Sequence, residues 1–361
     1  MTTACTVSST AYPNPTLELI NTSRSSLHTD LELSVPLPTQ FEWRQQGLRQ
    51  DTVIQARLVG PQHAPVILVL GGISANRHVC DLSGPSNRQT GWWQGVTGPD
   101  CPIDTHHFRV LSFDFLPGDV LSGEGCSPET DLCVTPADQA RIAAFLCDYL
   151  RIGKLHAFVG ASYGGMIALN FARLFPEKLE RLVILCAAHR VHPMGVAWRS
   201  IQRKIVQLGL DTQQPERALS LARELGMTTY RTSQEFGSRF SNHHDVQSYL
   251  ENRGQEFIGK MSPARYLALS KSIDQHQVDP AEVQVPTTVI GFRQDQLVPV
   301  EDLRLLGQQL PQLAHYFEAD SIYGHDAFLK EIPFLSNCLP HVLLNSALNP
   351  TLNSHMSQGM I

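Results

Sequence analysis

Leu155-His156-Ala157-Phe158-Val159-Gly160-Ala161-Ser162-Tyr163-Gly164-Gly165 is the stretch on which the reading of this chain turns. Residues 155–159 form a short, mostly apolar run that suits a buried strand, and residues 164–175 read as a helix. The bend between them, Gly160-Ala161-Ser162-Tyr163-Gly164, is a G-x-S-x-G pattern in a strand–turn–helix context, where a serine stands on a sharp elbow. The elbow needs small residues two places to either side, because bulk there would clash. Ser162 meets the N-terminus of the following helix, whose free N–H groups and dipole favour a developing negative charge.

Outward from the elbow, short apolar runs recur at residues 66–70, 108–113, 182–185 and 287–292, with a further strand-like piece at 53–59. Continuous runs of this kind suit strands buried on both faces of a parallel sheet. Helix-like segments alternate with them. Residues 136–152 place Ala140, Ala143, Leu146, Cys147 and Leu150 at spacings of three and four, with Pro136 in the first turn, where its missing N–H costs little. Strand alternating with helix implies an α/β protein with a doubly wound, mostly parallel sheet. Between residues 189 and 285 the rhythm becomes almost wholly helical, which reads as a helical cap inserted between two strands. The implied organisation is an N-terminal segment 1–50 that is partly flexible, a core of 51–188 and 286–339, the cap 189–285, and a flexible polar tail 340–361.

Composition narrows the partners. The 361 residues are 42% hydrophobic and 17% charged, with a net charge of −6. Nucleic acids and anionic membranes are usually met with a basic surface, so neither is expected as a partner. No run of about 18 uncharged apolar residues is present, so no membrane span is expected. The N-terminus has neither a basic region nor an apolar run of secretory type. Cys5, Cys80, Cys101, Cys126, Cys133, Cys147, Cys186 and Cys338 contain no C-x-x-C pair and read as reduced thiols of a cytoplasmic protein. The adjacent pairs His106-His107 and His243-His244 do not converge on one ion, so no metal site is expected.

A serine hydroxyl is a weak nucleophile until a base takes its proton and an acid orients that base. In this type of fold the chain order is serine, acid, histidine. Asp295, three residues beyond the run 287–292, is the candidate acid. His325, in the glycine-containing turn Ser321-Ile322-Tyr323-Gly324-His325-Asp326, is the candidate base. His315 and His341 are rivals for the base, Asp320 and Asp114 for the acid. The oxyanion of an acyl transfer needs two donors. These are expected from the backbone N–H of Tyr163 and from the glycine loop Gly71-Gly72-Ile73-Ser74, through Ile73 or Gly72.

Several of these segments together resemble the homoserine O-acyltransferases, a branch of the α/β-hydrolase fold. The resemblance spans about residues 66–331. It rests on the elbow continuing as Gly164-Gly165-Met166 and on Tyr323-Gly324-His325-Asp326-Ala327-Phe328-Leu329. Further echoes are Gly91-Trp92-Trp93, Gly98-Pro99, Ile103-Asp104-Thr105, Ala197-Trp198 with Gln202-Arg203, and Thr229-Tyr230-Arg231. It implies transfer of an acyl group from acyl-CoA, a co-substrate rather than a bound cofactor, to the hydroxyl of L-homoserine through a Ser162 acyl-enzyme. Arg231 then matches the arginine that holds the amino-acid carboxylate, and Asp326 the aspartate that recognises the amino acid. A homodimer formed through the cap is also implied.

The chain departs from the common pattern at Phe113-Asp114-Phe115-Leu116-Pro117-Gly118, at the loop 71–79 and at Tyr163, where many members carry methionine. These features resemble a compact branch associated with homoserine O-succinyltransferase activity. A succinyl group brings a second carboxylate that wants a cation, for which Arg77 and Arg190 are the candidates. Alternatives are an acetyl donor, a serine acceptor, and an esterase or thioesterase that uses water.

Overall fold

The computed structural model describes residues 18–19, 28–38, 41, 52–82, 91–118 and 134–344. Eleven strands are present among them: β1 (Glu18–Leu19), β2 (His28–Pro36), β3 (Val53–Pro61), β4 (Val66–Leu70), β5 (Thr97–Gly98), β6 (Ile103–Asp104), β7 (Arg109–Phe113), β8 (Ala157–Ala161), β9 (Leu182–Leu185), β10 (Thr287–Phe292) and β11 (Leu313–Ala319). Nine form one sheet in the order β1-β2-β3-β7-β4-β8-β9-β10-β11, and β5 pairs with β6 apart from it. From β7 to β11 all neighbours are parallel; β1, β2 and β3 make an antiparallel edge.

The central strands are buried along almost their whole length, as strands covered on both faces must be. Alternate residues of each strand supply two separate cores. Leu68, Leu70, Phe158, Leu182 and Ile184 pack on one face with residues of α1 (Pro136–Tyr149) and α2 (Tyr163–Leu174). Ile67, Val69, Val159, Val183 and Leu185 pack on the other. The period-2 geometry of a strand thus splits one apolar run between two layers. Helix α1 starts in a capping box between Thr135 and Asp138, with Pro136 in the first turn.

Between β9 and β10 the chain makes five α-helices, α3 (Pro193–Asp211), α4 (Pro215–Tyr230), α5 (Ser233–Arg239), α6 (His243–Ile258) and α7 (Pro263–Asp274), and a single 3-10 turn at Pro280–Glu282. After β10 come α8 (Val300–Gln309), α9 (Ala327–Lys330) and α10 (Ile332–Leu344).

Three boundaries differ from the sequence reading. The elbow strand is 157–161 rather than 155–159, because Gly160 and Ala161 still pair with Ile184 and Leu185. Strand β2 lies inside the N-terminal segment, with Leu31, Leu33 and Val35 buried on its inner side; the rest of 1–50 is largely outside the described residues. The expected tail boundary at 340 falls within α10, where Leu339, Val342 and Leu343 are buried in the second core. Each such side chain contributes about 1.5–3 kcal/mol on burial. Together they outweigh the roughly 3 kcal/mol that Pro340 costs inside the helix. Residues 345–361 lie outside the described residues.

Candidate active site

Ser162 sits between β8 and α2 with φ 55° and ψ −119°, a conformation that L residues rarely adopt. Such strain costs on the order of 1–3 kcal/mol and persists only where the surroundings enforce it. Here the Ser162 N–H donates to the Leu185 carbonyl at 2.9 Å, and the Gly164 N–H donates to Gly71 O at 2.8 Å. The small residues are steric necessities. A Cβ on Gly160 would lie 2.4 Å from the Gly164 carbonyl oxygen, and one on Gly164 would lie 2.2 Å from that of Leu70.

Behind the serine hydroxyl stands His325, whose Nε2 is 2.8 Å from Ser162 Oγ. Its Nδ1 is 2.7 Å from Asp295 Oδ2. The other carboxylate oxygen of Asp295 accepts the N–H groups of Leu297 and Val298 at 2.9 and 3.0 Å, which holds the acid in place. The Asp295 side chain is fully buried and that of His325 is 7% exposed. Burial by itself lowers the His325 pKa. The charge and hydrogen bond of Asp295, helped by Asp326, outweigh it and leave the imidazole above its ordinary range. Cys186 lies against Asp295 at the end of β9, and burial pushes its thiol well up, so it stays neutral beside the carboxylate.

The loop carrying His325 is shaped by Gly324, at φ +58°, where a Cβ would meet the Tyr230 carbonyl at 2.8 Å. Thr232 Oγ1 also donates to the Ile322 carbonyl in this loop. The helical insertion therefore grips the histidine loop directly. The rivals fall away on position. Asp114 pairs with Arg77, Asp320 pairs with Arg293 on an exposed edge, and His315 packs edge-on against His341.

All three members of the Ser162–His325–Asp295 chain come from the carboxyl ends of β8, β10 and β11, where ligands collect in open α/β sheets. The loop after β4 joins them. A Cβ on Gly72 would lie 3.9 Å from Ser162 Oγ, and Gly72, Ile73 and Tyr163 line one cavity with Ser162 and His325. The Ala75 N–H closes this loop onto the Gly72 carbonyl at 2.8 Å. The cavity, about 190 Å³, is roofed by residues of α3, α4 and α7. Tyr163 ties the elbow to that roof: its hydroxyl is 2.6 Å from Ser272 Oγ.

The charged residues sort less simply. Asp326 lines the cavity, but Arg231 does not. Arg231 is 9% exposed, with Nη1 2.8 Å from Glu235 Oε1 and Nε 2.9 Å from Asp326 Oδ2. Sequence reading placed the two as separate contacts to a substrate; the structure joins them into one ion pair, with Arg231 buried and Asp326 facing the cavity. Arg77 is engaged by both Glu32 and Asp114, each at 2.6 Å, and lies outside the cavity lining, so it is not the cation for an acyl carboxylate. Arg190 reaches the cavity but is 56% exposed and faces Asp302 at 3.6 Å. Two cavity arginines went unnoticed in the sequence, Arg199 and Arg223. The available signal was the spacing of Gly195, Arg199, Gln202 and Val206, which sets an arginine into the inward stripe of α3.

The model of the alpha/beta hydrolase fold matches residues 65–332. The homoserine O-succinyltransferase of Xanthomonas campestris pv. campestris is 37% identical over 329 residues, covering 89% of this chain and 84% of that protein. The homoserine O-acetyltransferase of Moorella thermoacetica is 28% identical over 324 residues, covering 76% and 87% respectively. Among solved structures, esterase E22 superposes with a TM-score of 0.75 at 18% identity, over 88% of this chain and all of that one, which shows the shared fold. With its elbow, its sheet and these relatives, the chain belongs to the homoserine O-acyltransferases, a family of acyl-transferring enzymes within the α/β-hydrolase fold.

Proposed function

We propose that this protein is a homoserine O-succinyltransferase that works through a Ser162 acyl-enzyme. The observation that carries the reading is the hydrogen-bonded chain Ser162–His325–Asp295 under a helical roof, in a chain 37% identical to a homoserine O-succinyltransferase. His325 Nε2 takes the Ser162 proton as Oγ attacks the thioester carbonyl of succinyl-CoA. The oxyanion meets the N–H groups of Tyr163 and of the Gly72-Ile73 loop. The thioester C–S bond breaks and His325 returns its proton to the leaving thiolate. In the second half the homoserine hydroxyl gives its proton to His325 and attacks the ester carbonyl; the tetrahedral intermediate then collapses, its bond to Ser162 Oγ breaks, and His325 returns the proton to Oγ as O-succinylhomoserine leaves. The place of action we assign is the cytoplasm; among the described residues no helix is long and apolar enough to cross a membrane.

Acceptor recognition rests on Asp326, which lines the cavity and presents its carboxylate to the homoserine ammonium. Arg231, matched by resemblance to the carboxylate-holding arginine, lies outside the cavity lining and fixes the Asp326 carboxylate through their ion pair at 2.9 Å. The test is thiol release from succinyl-CoA with and without homoserine. Release that depends on homoserine supports transfer; release indifferent to it means a thioesterase. Asp326→Asn is expected to raise the homoserine KM about 10–100-fold, the worth of one hydrogen bond to a charged group, while acyl-enzyme formation is spared. Serine in place of homoserine, assayed in competition, ranks the two acceptors.

We also assign a homodimer that meets through the insertion. Met194, Ile201 and Leu208 recur every seven residues along α3 and are 50%, 50% and 63% exposed, and Leu221 of α4 is 47% exposed. Apolar side chains in one exposed stripe favour association with a second copy. Leu208→Asp is expected to convert the dimer to monomer in sedimentation; an unchanged mass would remove this face from the interface.

A further inference from the structure

No side chain of Gly91-Trp92-Trp93 reacts, yet its two indoles hold two different catalytic loops. The segment is joined to the loop after β4 through its backbone. The Trp92 N–H donates to the His78 carbonyl and the Trp93 N–H to the Val79 carbonyl, each at 3.0 Å. Gly91 permits this approach, since a Cβ there would lie 2.3 Å from the Val79 carbonyl oxygen. The two indole rings stack, with centroids 5.2 Å apart and planes 13° from parallel.

Trp92 fixes the oxyanion loop at both ends. Its Nε1–H donates to the Asn76 carbonyl at 3.0 Å. Its ring covers Gly71, where a Cβ would lie 2.7 Å from ring carbon Cη2. Gly71 in turn accepts the Gly164 N–H at 2.8 Å. Gly72 and Ile73 lie between these anchors, and Trp92 lines the cavity with them. Trp93 belongs to the second core and is 2% exposed. Its Nε1–H donates to the Phe328 carbonyl at 2.8 Å. Helix α9 ends at Lys330, so this carbonyl is in the last turn, beyond the reach of an intrahelical donor. Phe328 stands three residues after His325, and the two rings meet edge-on at 5.9 Å.

We propose that Trp92 and Trp93 act as one strut that sets the spacing between the oxyanion donors and His325. Both are positioning residues: neither gives nor takes a proton, and each acts through the loop it holds. The proposal rests on the reading of Ser162 as an acyl carrier whose oxyanion meets the Gly72-Ile73 loop. Oxyanion donors work only when held about 2.7–3.1 Å from the developing charge. The base must stay within hydrogen-bonding reach of the serine at the same moment. The two loops come from distant parts of the chain, and a stacked pair with one N–H on each keeps their spacing. Indole suits the task, being large and stiff with a single donor that seeks a partner when buried.

The test is kcat/KM for p-nitrophenyl acetate, which reports acylation of Ser162 and needs the base and the oxyanion hole but neither CoA nor homoserine. It is measured in the wild-type protein, Trp92→Phe, Trp93→Phe and the double variant. Phenylalanine keeps an aromatic ring and removes the N–H donor. End-point labelling with a fluorophosphonate counts the competent serines, so each rate is expressed per competent site. Each single variant is expected to be acylated about 10-fold more slowly, the worth of one hydrogen bond. The double variant is expected to match the singles, because a strut cut at one end is already cut. A wild-type rate per site, with only the labelled fraction reduced, would give the tryptophans a role in folding alone and overturn the proposal. A double variant slowed by the product of the two singles would overturn it too, by revealing two independent ties. Should Trp93→Phe not fold, Trp92→Phe decides alone, and an unchanged rate per site overturns the strut. A wild-type serine that the ester does not acylate would instead overturn the acyl-carrier reading, and the strut with it.

Discussion

Ser162→Ala is expected to lower acyl transfer by about 10⁴–10⁶-fold, the range seen when a serine nucleophile is removed from an otherwise intact triad. The substitution is a clean one here. The Ser162 side chain makes no capping hydrogen bond to α2, and alanine keeps the same Cβ at the same backbone angle. What disappears is the oxygen 2.8 Å from His325 Nε2. The fold should therefore hold, with a thermal midpoint displaced by no more than a few degrees, about what a change below 1 kcal/mol produces. Mass spectrometry after exposure to succinyl-CoA should find the acyl increment on the Ser162 peptide of the wild-type protein and none on the variant. Retained transfer by the alanine variant would mean that acyl groups reach homoserine without passing through this serine.

Asp295→Asn is expected to cost about 10⁴-fold in kcat, through the wrong histidine tautomer rather than through lost structure. One oxygen of Asp295 is committed to the N–H groups of Leu297 and Val298, so an asparagine that keeps those bonds turns its NH₂ group toward His325 Nδ1. Nδ1 then accepts, Nε2 carries the proton, and the imidazole faces Ser162 as a donor rather than a base. The pH profile supplies an independent readout. The competent imidazole is neutral, so activity falls as pH drops through the His325 pKa. Burial pulls that pKa down, but Asp295 holds it above the ordinary 6.5 in the wild-type protein. Removing the carboxylate leaves burial opposed only by the lesser pull of Asp326, and the acid limb of kcat/KM should move to lower pH. A limb that stays in place would show that Asp295 does not set the charge state of the base.

Much of this site was legible in the chain because its demands are local. The Gly160-Ala161-Ser162-Tyr163-Gly164 bend declares itself through sterics, since contacts of 2.2–2.4 Å leave no room for a Cβ at either flanking glycine. His325 and Asp295 followed from order and from their places just beyond late strands. Strand β2 was less visible. Its alternation of Leu31, Leu33 and Val35 with Asp30, Glu32 and Ser34 is a half-buried strand pattern, set among Ser- and Pro-rich sequence that dilutes it. The end of the chain misled for a related reason: Pro340 signals a break, whereas the buried stripe of Leu335, Leu339, Val342 and Leu343 carries α10 through it.

Charged residues were the least legible, because a charge takes its meaning from what lies opposite. Arg77 and Arg190 were natural candidates for an acyl carboxylate, yet Glu32 and Asp114 claim the first and solvent with Asp302 the second. Arg231 and Asp326, 95 positions apart in the chain, meet at 2.9 Å. Arg199 and Arg223 gained interest only once two helices were seen to aim them into the same cavity as Ser162.

By itself the sequence determined the layered α/β architecture, the strained serine and the two side chains, His325 and Asp295, that the structure lines up behind it. Each of these depends on short-range pattern: period-2 and period-3.6 apolar spacing, and small residues at a tight bend. The tertiary structure alone decided which charges are neutralised and which remain open to a ligand. That depends on distances between residues far apart in the chain, and no local pattern encodes them.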